Sequence, residues 1–376
     1  METKRSLLIL SFSPIERDAR VLKEVRLFVG KYDVFTCGYG EAPEGVVDHF
    51  QISNAAVNWK YDNLSIVTHQ YERAYWANAA VREAKSLLEG KTFDAILAND
   101  FDTAPLALHL KPRRGVHVDL HEYAPLEKEN LKRWKWFITP FRSWVCRKYI
   151  ARASSWTTVA QGIADKYREV FGFCPGVVTN AAPYQELTPT PVHSPLRLVH
   201  HGVAHSDRNL DRLAEAVSHT RLNCTLDFFL VPTDPAVIER LNKIAGRSGR
   251  IHLHEQLPYS EIVSTLNDFD CGIYTLPPVS FNNDHALPNK FFDFIQARLA
   301  VLIGPSPEMA DYVERYELGA VAQDFSTEAF TALLDSIRPE NVAVWKNTAA
   351  KAAVSLSAEE QVQGWAEAVG KLLNRG

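Results

Sequence analysis

The sequence predicts an α/β protein of two doubly wound, Rossmann-like domains that face each other across a cleft. Short apolar runs alternate with longer helical patterns along the whole chain, which is typical of βαβ units around parallel sheets. A proline-rich stretch, AAPYQELTPTPVHSP (181–195), interrupts this alternation, which then begins again. The 376 residues suffice for two domains of ordinary size.

The first half contains six strand candidates, most of them separated by helical patterns. They are SLLILSF (6–12), YDVFTCGY (32–39), FDAILAND (93–100), GVHVDLHE (115–122), SSWTTVA (154–160) and GVVTN (176–180). Two of the helical patterns, 20–30 and 78–90, end at a glycine that suits a helix C-cap. The apolar run near the start is short and is followed by polar residues, so it predicts a first strand and not a signal peptide.

The second half repeats the pattern after the proline-rich stretch. Its strand candidates are LRLVHHG (196–202), LDFFLVP (226–232), RIHLHEQ (250–256), FDCGIYTL (269–276), LAVLIG (299–304) and GAVAQD (319–324), with helices at 208–220 and 235–246. We predict an N-terminal domain at 1–183 and a C-terminal domain at 184–356. The last helix, 357–376, is expected to pack back on the first domain. Ligands of such sheets bind beyond the carboxyl ends of the strands, so the cleft is the expected site.

Composition excludes several classes of protein. A hydrophobic content of 46% and a charged content of 23% are typical of a soluble globular chain, and a net charge of −4 argues neither for nor against a nucleic-acid partner. The five cysteines are scattered and lack the spacing of a zinc site or a disulfide framework, which favours reduced thiols in the cytoplasm. No apolar stretch reaches the length that spans a bilayer.

The segment HALPNKFFDFIQARLAVLIG (285–304) places Pro-Asn-Lys at the start of an apolar helical run. A helix N-terminus presents unpaired backbone N–H groups and partial positive charge, so it can bind an anion such as a phosphate. The alternative is a helix that merely begins at a proline and carries an exposed lysine, because proline is favoured in the first turn.

Five stretches, taken in order, resemble the GT-B glycosyltransferases, and in particular the family-4-like group of retaining nucleotide-sugar enzymes. They are ERDARVLKEVRLFVGKYDV (16–34), LANDFDTAPLA with VDLHEY (97–107 and 118–123), VVTNAAP (177–183), LVHHGVAHSDRNLDRLAEAV (198–217) and PNKFFDFIQARLAVLIG (288–304). The resemblance implies that the first domain takes the acceptor and that the second binds the nucleotide sugar.

The resemblance assigns the diphosphate of the donor to the helix that begins near Asn289 and Lys290. Backbone N–H groups there would cradle phosphate oxygens, and the Lys290 ammonium would add a point charge. Arg208 matches a basic residue that commonly faces the β-phosphate, and Gly202 would let the backbone approach the ligand closely. The plainer reading of Arg208 is a solvated arginine at a helix start.

The family pattern at this helix is Glu, seven residues, Glu, and this chain departs from it. Asp293 stands at the second position, where the family holds the ribose hydroxyls, and His285 stands at the first, which normally contacts the transferred sugar. A carboxylate at Asp293 can still accept hydroxyl hydrogen bonds. Asp284 and the two asparagines before it are candidates to replace the missing glutamate, so the identity of the sugar is left open.

In the first domain, His121 and Glu122 follow a strand and are the candidates on its catalytic face. His121 would be a hydrogen-bond partner of a sugar or acceptor hydroxyl, and Glu122 would orient the imidazole or contact the acceptor. The alternative is a histidine that satisfies a loop carbonyl. Asp18 and Arg20 either line the cleft or cap a helix. The resemblance supplies no agreed protein nucleophile, and we assign none.

Two Asp-Phe-Asp sequences, at 100–102 and 268–270, match the D-x-D metal motif of the other large glycosyltransferase fold. The first follows a buried strand, with no third carboxylate expected nearby, and the second leads into a strand. We interpret both as structural, and we predict no metal and no cofactor besides the nucleotide-sugar substrate.

The segment LKRWKWFITPFRSWVCRKYIAR (131–152) contains seven basic residues and six aromatic residues. Such a segment can lie in an anionic membrane interface. The alternatives are a helix packed on the core, whose cations are solvated, and a nucleic-acid surface, for which the rest of the chain offers no basic groove. Pro140 is expected to break the segment, so that it is not one continuous helix.

The sequence therefore predicts a retaining, metal-independent GT-B glycosyltransferase that acts on a glycan or lipid-linked acceptor. The resemblance places it in bacterial surface polysaccharide or glycolipid assembly, in the cytoplasm and at the inner face of the cell membrane. Two alternatives stay open: a non-catalytic two-domain protein that binds sugar nucleotides, and a GT-B epimerase.

Overall fold

The computed structural model describes residues 4–374, which divide into two compact units. The first unit contains the chain up to Val178, the short segment Ser280–Asn282 and the chain from Val362 onward. The second unit contains Thr179–Val279 and Asn283–Gln361. The predicted boundary after residue 183 lies a few residues later in the chain than this division.

The first unit is built on a seven-stranded sheet in which all described pairs are parallel. Its strands are β1 (Ser6–Pro14), β2 (Asp33–Tyr39), β3 (Asp48–Gln51), β4 (Ala95–Asn99), β5 (Gly115–Leu120), β6 (Ser155–Thr158) and β7 (Gly176–Val177), in the order β3-β2-β1-β4-β5-β6-β7. The order reverses between β1 and β4, which is the switch point of a doubly wound sheet. Strand β3 was not among the predicted strands, because this edge strand is short and mostly polar.

The second unit has a six-stranded parallel sheet of the same kind. Its strands are β8 (Leu196–Val203), β9 (Cys224–Val231), β10 (Ile251–Glu255), β11 (Cys271–Tyr274), β12 (Ala300–Ile303) and β13 (Gly319–Val321), in the order β10-β9-β8-β11-β12-β13. The switch point lies between β8 and β11. The predicted class, α/β with two doubly wound Rossmann-like sheets, is therefore confirmed.

Helices cover both sheets and connect their strands. In chain order the α-helices are α1 (Ala19–Phe28), α2 (Asn63–Val67), α3 (Tyr71–Trp76), α4 (Ala79–Leu87), α5 (Ala104–His109), α6 (Thr139–Lys148), α7 (Gln161–Phe171), α8 (Leu210–His219), α9 (Pro235–Ser248), α10 (Ile262–Leu266), α11 (Phe281–Asp284), α12 (Asn289–Gln296), α13 (Pro307–Arg315), α14 (Thr327–Ser336), α15 (Pro339–Ala352), α16 (Ala358–Gln361) and α17 (Gln363–Leu373). Five short 3-10 turns lie at Ile15–Arg17, Ala124–Leu126, Ile150–Arg152, Ser206–Arg208 and Tyr259–Glu261.

The expectation that Pro140 breaks the segment 131–152 was wrong. A π-helical turn, Trp134–Ile138, runs directly into α6, and Pro140 lies in the first turn of α6. The first turn of a helix tolerates proline because its N–H groups have no intrahelical partner. The wider π turn just before it is the local adjustment that keeps this stretch helical.

The last helix, α17, completes one face of the first sheet. Trp365, Val369 and Leu373 are buried there against apolar side chains of β1, β4 and α1. Gly364 lies close to Val178, where a Cβ atom would come within 2.6 Å of the valine side chain. The first unit therefore has its core closed by the far end of the chain.

The proline-rich stretch 181–195 has no regular secondary structure, but it is fastened to the second unit by two buried cations. Arg298 is 1% exposed and donates to the backbone oxygens of Leu187 and Gln185. Lys346 is also 1% exposed and donates to the Thr190 hydroxyl at 2.9 Å and to the backbone oxygen of Phe269 at 2.8 Å. This stretch is therefore packed onto the second unit.

Within residues 4–374, no helix is both long and apolar enough to cross a membrane. The five cysteines are free thiols, four of them buried and Cys174 exposed.

We expect Trp365→Ala to lower the free energy of unfolding by about 3–5 kcal/mol, because it removes a large, fully buried side chain and leaves a cavity. Trp136→Ala is the matched control, since this indole is 71% exposed, and its effect should stay within about 0.5 kcal/mol. Urea denaturation followed by circular dichroism measures both. Equal stability of the two variants would contradict the assigned packing of α17.

Candidate functional site

A buried carboxylate, Asp119, is the centre of a polar cluster in the first unit. Asp119 lies near the end of β5, is 0% exposed, and accepts hydrogen bonds from Arg20 Nε at 2.6 Å and Nη2 at 2.8 Å. The Thr157 hydroxyl and the Trp365 indole N–H donate to its Oδ1 at 2.5 Å and 3.1 Å. We call these four residues together with His121 the Asp119 cluster.

The charge of Asp119 is secured by its partners. Burial alone would raise the pKa of this carboxyl, but the Arg20 guanidinium and the hydrogen bond from His121 hold it well below its usual range. Asp18 caps α1 by accepting from the backbone N–H groups of Arg20 and Val21. Asp18 is therefore a helix cap, whereas the Arg20 side chain is part of a buried ion pair.

Two acceptors fix the orientation of His121. Its Nε2 lies 3.3 Å from Asp119 Oδ2 and 3.1 Å from Asn99 Oδ1. Asn99 presents its oxygen here because its Nδ2 donates to Glu24 at 2.7 Å. Nε2 therefore carries a proton, and Nδ1 is the ring nitrogen that can exchange a hydrogen bond with a ligand hydroxyl.

The contacts of His121 with its neighbours also determine its pKa. Burial by itself lowers the pKa of His121, but the hydrogen bond to Asp119 and the charges of Asp100 and Asp119 outweigh it and raise the pKa above its usual value. Burial and the nearby Asp119 charge raise the pKa of Glu24 well above its usual value. The raised pKa favours the neutral acid form of Glu24, which lies beside the charged pair of Arg20 and Asp119.

Glu122 does not orient the imidazole, which is one of the two roles that the sequence suggested for it. Asp119 occupies that place, while Glu122 points toward Asn282, whose Nδ2 lies 3.3 Å from its Oε2. Burial and the charges of Glu127 and Asp100 raise the pKa of Glu122 to about 9. Glu122 is therefore protonated at neutral pH and can donate a hydrogen bond from its carboxyl O–H.

In the second unit, Lys290 lies directly over Gly202 at the end of β8. Gly202 has a φ of +120°, and a Cβ atom there would come within 2.9 Å of the Lys290 ammonium. Only glycine combines this backbone conformation with such a close approach. The role of Gly202 is therefore to make room at the strand end for the lysine and for whatever the lysine binds.

Two neighbours contact the Lys290 ammonium. His200 donates from Nδ1 to the backbone oxygen of Ile273 at 2.9 Å, which leaves Nε2 as an acceptor 3.4 Å from the Lys290 ammonium. The same ammonium lies 4.5 Å from the centroid of the Tyr274 ring, and the Tyr274 hydroxyl accepts from Arg208 Nη1 at 3.0 Å. We call Gly202, His200, Tyr274, Arg208 and Lys290 the Lys290 cluster.

The Lys290 cluster holds more positive charge than its own surroundings stabilise. Burial and the neighbouring Arg208 lower the pKa of Lys290 to about 7, although Asp293 and Asp207 act in the opposite direction. Burial and Lys290 together also keep the pKa of His200 well below normal, so His200 is neutral. A bound anion would relieve the repulsion between the two cations and restore the full charge of Lys290.

Lys290 lies in the first turn of α12, which begins at Asn289 with no side-chain hydrogen bond from its N-cap residue, Pro288. Asn289 is exposed, whereas Asp293, one turn later, is only 5% exposed. Asp293 Oδ2 lies 3.3 Å from His201 Nε2. Burial and the Lys290 charge lower the pKa of His201 to about 3, so this contact joins a carboxylate to a neutral imidazole.

An acidic side chain from a distant part of the sequence lies beside His285. His285 Nδ1 lies 3.4 Å from an oxygen of Glu308, which comes from the first turn of α13. Asp284 is more distant, with 4.0 Å between its Oδ2 and His285 Nε2. Glu308 is far from 285 in sequence and was missed, because no local pattern distinguishes it from an acidic residue that stabilises a helix start.

The two Asp-Phe-Asp sequences differ in their surroundings. Asp270 is 0% exposed and lies 3.3 Å from the ammonium of Lys346, so it is structural. Asp100 and Asp102 line a cavity that Glu122 and Glu127 also line, so the assumption that no further carboxylate lies near them was wrong. Over residues 4–374, no group of three or more His, Cys, Asp or Glu side chains has the arrangement of a metal site.

No known protein-family profile and no curated protein matches this chain. Solved structures do match it over almost its whole length. The structure of Anabaena Alr3699/HepE in complex with UDP has a TM-score of 0.72 and 11% identity, covering 98% of this chain and 100% of the other.

Two further structures agree with the first. A glycosyltransferase from Rickettsia africae has a TM-score of 0.71 and 10% identity, covering 99% of this chain and 100% of the other. Sucrose-phosphate synthase from Thermosynechococcus elongatus has a TM-score of 0.70 and 11% identity, covering 98% and 99%. At these identities the likeness establishes the fold, which is that of the GT-B glycosyltransferases.

We expect Asp119→Asn to destabilise the first unit by about 3–5 kcal/mol, because the Arg20 guanidinium would be left buried without its counter-charge. Glu367→Gln is the matched control: its ion pair with Lys371 is 3.5 Å long and exposed, so its loss should cost less than about 1 kcal/mol. Urea denaturation compares the two variants, and similar midpoints would rule out a central role for Asp119.

The stability difference between the natural chain and Asp119→Asn should depend on pH. A raised pKa of His121 adds stability that is fully present below its unfolded pKa of about 6.5. This stability is lost as the pH rises through the higher folded pKa. The stability difference between the natural chain and Asp119→Asn should therefore shrink from pH 6 to pH 8.

Proposed function

We propose that the chain is a retaining glycosyltransferase of the family-4-like group, which moves a sugar from a nucleoside-diphosphate sugar to a glycan or lipid-linked acceptor. The observation that carries this proposal is the Lys290 cluster. A lysine whose pKa is held near 7 lies over a glycine at the switch point of a doubly wound sheet, beside an arginine and at a helix N-terminus. Such a group suits an anion, and the switch point is where such sheets bind nucleotides.

The site suits the chemistry of sugar transfer from a diphosphate. When the sugar leaves, negative charge develops on the departing nucleoside diphosphate. Lys290, Arg208 and the first backbone N–H groups of α12 would stabilise that charge through prearranged dipoles and cations. These groups supply positive charge without a metal ion, so we propose that the reaction needs none.

We propose further roles for the remaining residues. His121 exchanges a hydrogen bond with a sugar hydroxyl through Nδ1, and Asp293 accepts from the ribose hydroxyls. Glu308, together with His285 and Asp284, contacts the transferred sugar in place of the missing glutamate. Solved structures of the same fold include complexes with UDP and UDP-glucose, which supports a nucleotide-sugar donor. Retention and the assembly of bacterial surface polysaccharide or glycolipid rest on the resemblance of the sequence motifs.

The first experiment is a thermal-shift panel of nucleoside diphosphates and their sugars in EDTA. At 100 times its Kd the right nucleotide adds about 2.7 kcal/mol, which corresponds to about 5–10 °C in the melting temperature. Lys290→Ala should weaken binding about 10–100-fold. Lys243→Ala, which removes an exposed ion pair with Glu239, is the control. Turnover of the matching sugar nucleotide then separates a transferase from an epimerase and from a binding protein.

Nucleotide binding beside Lys290 should be accompanied by the uptake of a proton. Because the pKa of Lys290 is about 7 in the free protein and rises beside a phosphate, binding at pH 8 should take up close to one proton. Calorimetry in two buffers of different ionisation enthalpy measures this uptake. Lys290→Arg keeps the charge at all these pH values and should abolish the uptake. A flat panel, or binding that is indifferent to Lys290, would reject the proposal.

We also propose that the first unit contacts the inner face of an anionic membrane from the cytoplasm. Large apolar side chains of the segments 59–67 and 131–136 are exposed by half or more, namely Trp59, Leu64, Val67, Leu131 and Trp136. Helix α2 contacts the π turn at 134–138, and the Arg133 guanidinium donates to Asn63 at 2.7 Å, so the two segments lie side by side. The neighbouring Lys60, Lys132 and Lys135 are exposed as well.

Flotation with vesicles tests the membrane contact. The protein should float with vesicles that contain 30% phosphatidylglycerol at low salt, and less at 0.5 M salt, because the attraction is partly electrostatic. Leu131→Ala combined with Trp136→Ala should reduce the bound fraction at least fivefold. Tyr259→Ala, a change at a 60% exposed site on the second unit, should leave it unchanged. Absence of flotation by the natural chain would refute the contact.

A further inference from the structure

The first unit contains a cavity of about 320 Å³ at the ends of β4 and β5. Two classes of side chain dominate its wall: aromatic rings, namely Trp59, Tyr61, Phe101 and Trp134, and carboxyl groups, namely Asp100, Asp102, Glu122 and Glu127. The proposed function gives this cavity no role. Its chemistry is nevertheless specific enough to indicate what it would hold.

The aromatic part of the wall includes a ring that is open to a ligand. Trp59 is 76% exposed, which is unusual for a tryptophan next to a cavity. Tyr61, by contrast, packs edge-on against Phe141 with 4.9 Å between the ring centroids. The faces of aromatic rings carry partial negative charge, and the C–H bonds on one face of a pyranose carry partial positive charge. An exposed indole at the mouth of a polar cavity can therefore stack on a sugar ring.

The carboxyl groups of the cavity include both hydrogen-bond donors and hydrogen-bond acceptors. Burial and the charges of Glu127 and Asp100 raise the pKa of Glu122 to about 9, so Glu122 can donate. Burial and the charge of Asp100 raise the pKa of Asp102 to about 7, so it is partly protonated at neutral pH. Asp100 itself has a left-handed backbone, with a φ of +65°. A polyol, whose hydroxyls both donate and accept, matches this mixture.

The cations of the cavity are already engaged. The Arg142 guanidinium lies between the Phe101 and Trp134 rings, 4.1 Å and 4.4 Å from their centroids. Its Nη1 donates to the backbone oxygen of Ala124 at 3.0 Å and also pairs with Glu127. Lys128 lies 3.7 Å from a Glu127 oxygen as well. A phosphate or carboxylate in the cavity would therefore have to displace Glu127 from Arg142 or Lys128 before it gained a cation of its own.

We propose that this cavity is the acceptor site, and that the sugar ring it receives carries neither a phosphate nor a carboxylate group. The proposal rests on the proposed transferase function and adds to it the class of the acceptor. Asp100 also contributes to the raised pKa of His121, and Glu122 follows His121 directly in the chain. A hydroxyl of a sugar in the cavity would thus lie beside the Asp119 cluster.

Saturation-transfer NMR on the full chain tests the proposal with two matched sets of probes. The neutral set contains the methyl glycosides of glucose, galactose, mannose and N-acetylglucosamine. The anionic set contains glucose 6-phosphate, mannose 6-phosphate, glucuronate and galacturonate. We expect ring-proton signals from at least one neutral glycoside, with dissociation constants at least tenfold lower than those of every anionic probe.

Two variants locate the binding and its charge selectivity. Trp59→Ala should weaken the neutral glycoside at least tenfold, and Tyr259→Ala, which removes a 60% exposed aromatic ring on the second unit, should not. Asp102→Asn keeps the size of the side chain and removes its charge, so it should raise the affinity for the anionic probes relative to the neutral ones several-fold. Far-ultraviolet circular dichroism checks that each variant is folded.

Three results would overturn the inference: anionic sugars binding as tightly as neutral ones, neutral binding that is indifferent to Trp59, or no sugar binding at all. Nucleotide calorimetry on the same sample separates these failures from a failure of the transferase proposal. Nucleotide binding without any sugar binding rejects only the acceptor site. Sugar binding without any nucleotide binding rejects the transferase and, with it, the acceptor role of the cavity.

Discussion

The first unit depends on one buried ion pair. Asp119 and Arg20 have almost no exposure, and such a pair is stable only when its remaining hydrogen-bonding capacity is satisfied. Here Thr157, Trp365 and His121 complete the shell of Asp119, and the backbone oxygen of Val178 accepts from Arg20 at 3.0 Å. One carboxylate therefore links strands β5 and β6 with helices α1 and α17, and through Arg20 it also links them to Val178. The same carboxylate orients His121 of the candidate site.

The two units handle charge in opposite ways. In the first, the buried charges of Asp119 and Arg20 face each other, burial raises the pKa of Glu24 well above its usual value, and burial raises that of Glu122 to about 9. In the second, Lys290 and Arg208 lie close together with the charge of the lysine only half retained at pH 7. The arrangement in the first unit stabilises its fold. The arrangement in the second unit favours the binding of an anion, because an anion relieves the repulsion between Lys290 and Arg208.

Much of the fold could be predicted from the sequence, because parallel strands leave local apolar runs and helices leave a 3.6-residue period. Twelve of the thirteen strands coincide with runs identified in advance, and the exception, β3, is too short and polar to leave such a run. Of the site, Gly202, Arg208 and Lys290 follow from motifs. Asp119, Glu308 and Trp59 do not, because their roles arise from contacts between residues far apart in the chain, which no local pattern records. The carboxyl groups around Asp100 and Asp102 were missed for the same reason.

The position of Trp365 has a consequence for how the protein is made. The first unit contains the beginning of the chain and also residues 362–376, with the whole second unit encoded between them. Domains generally fold in order as they emerge from the ribosome. In this chain the second unit is complete before Trp365 is synthesised, so the first unit must wait, with Asp119 lacking its indole partner and one face of its sheet lacking α17. Of these two units, the one whose translation begins first is thus finished after the other.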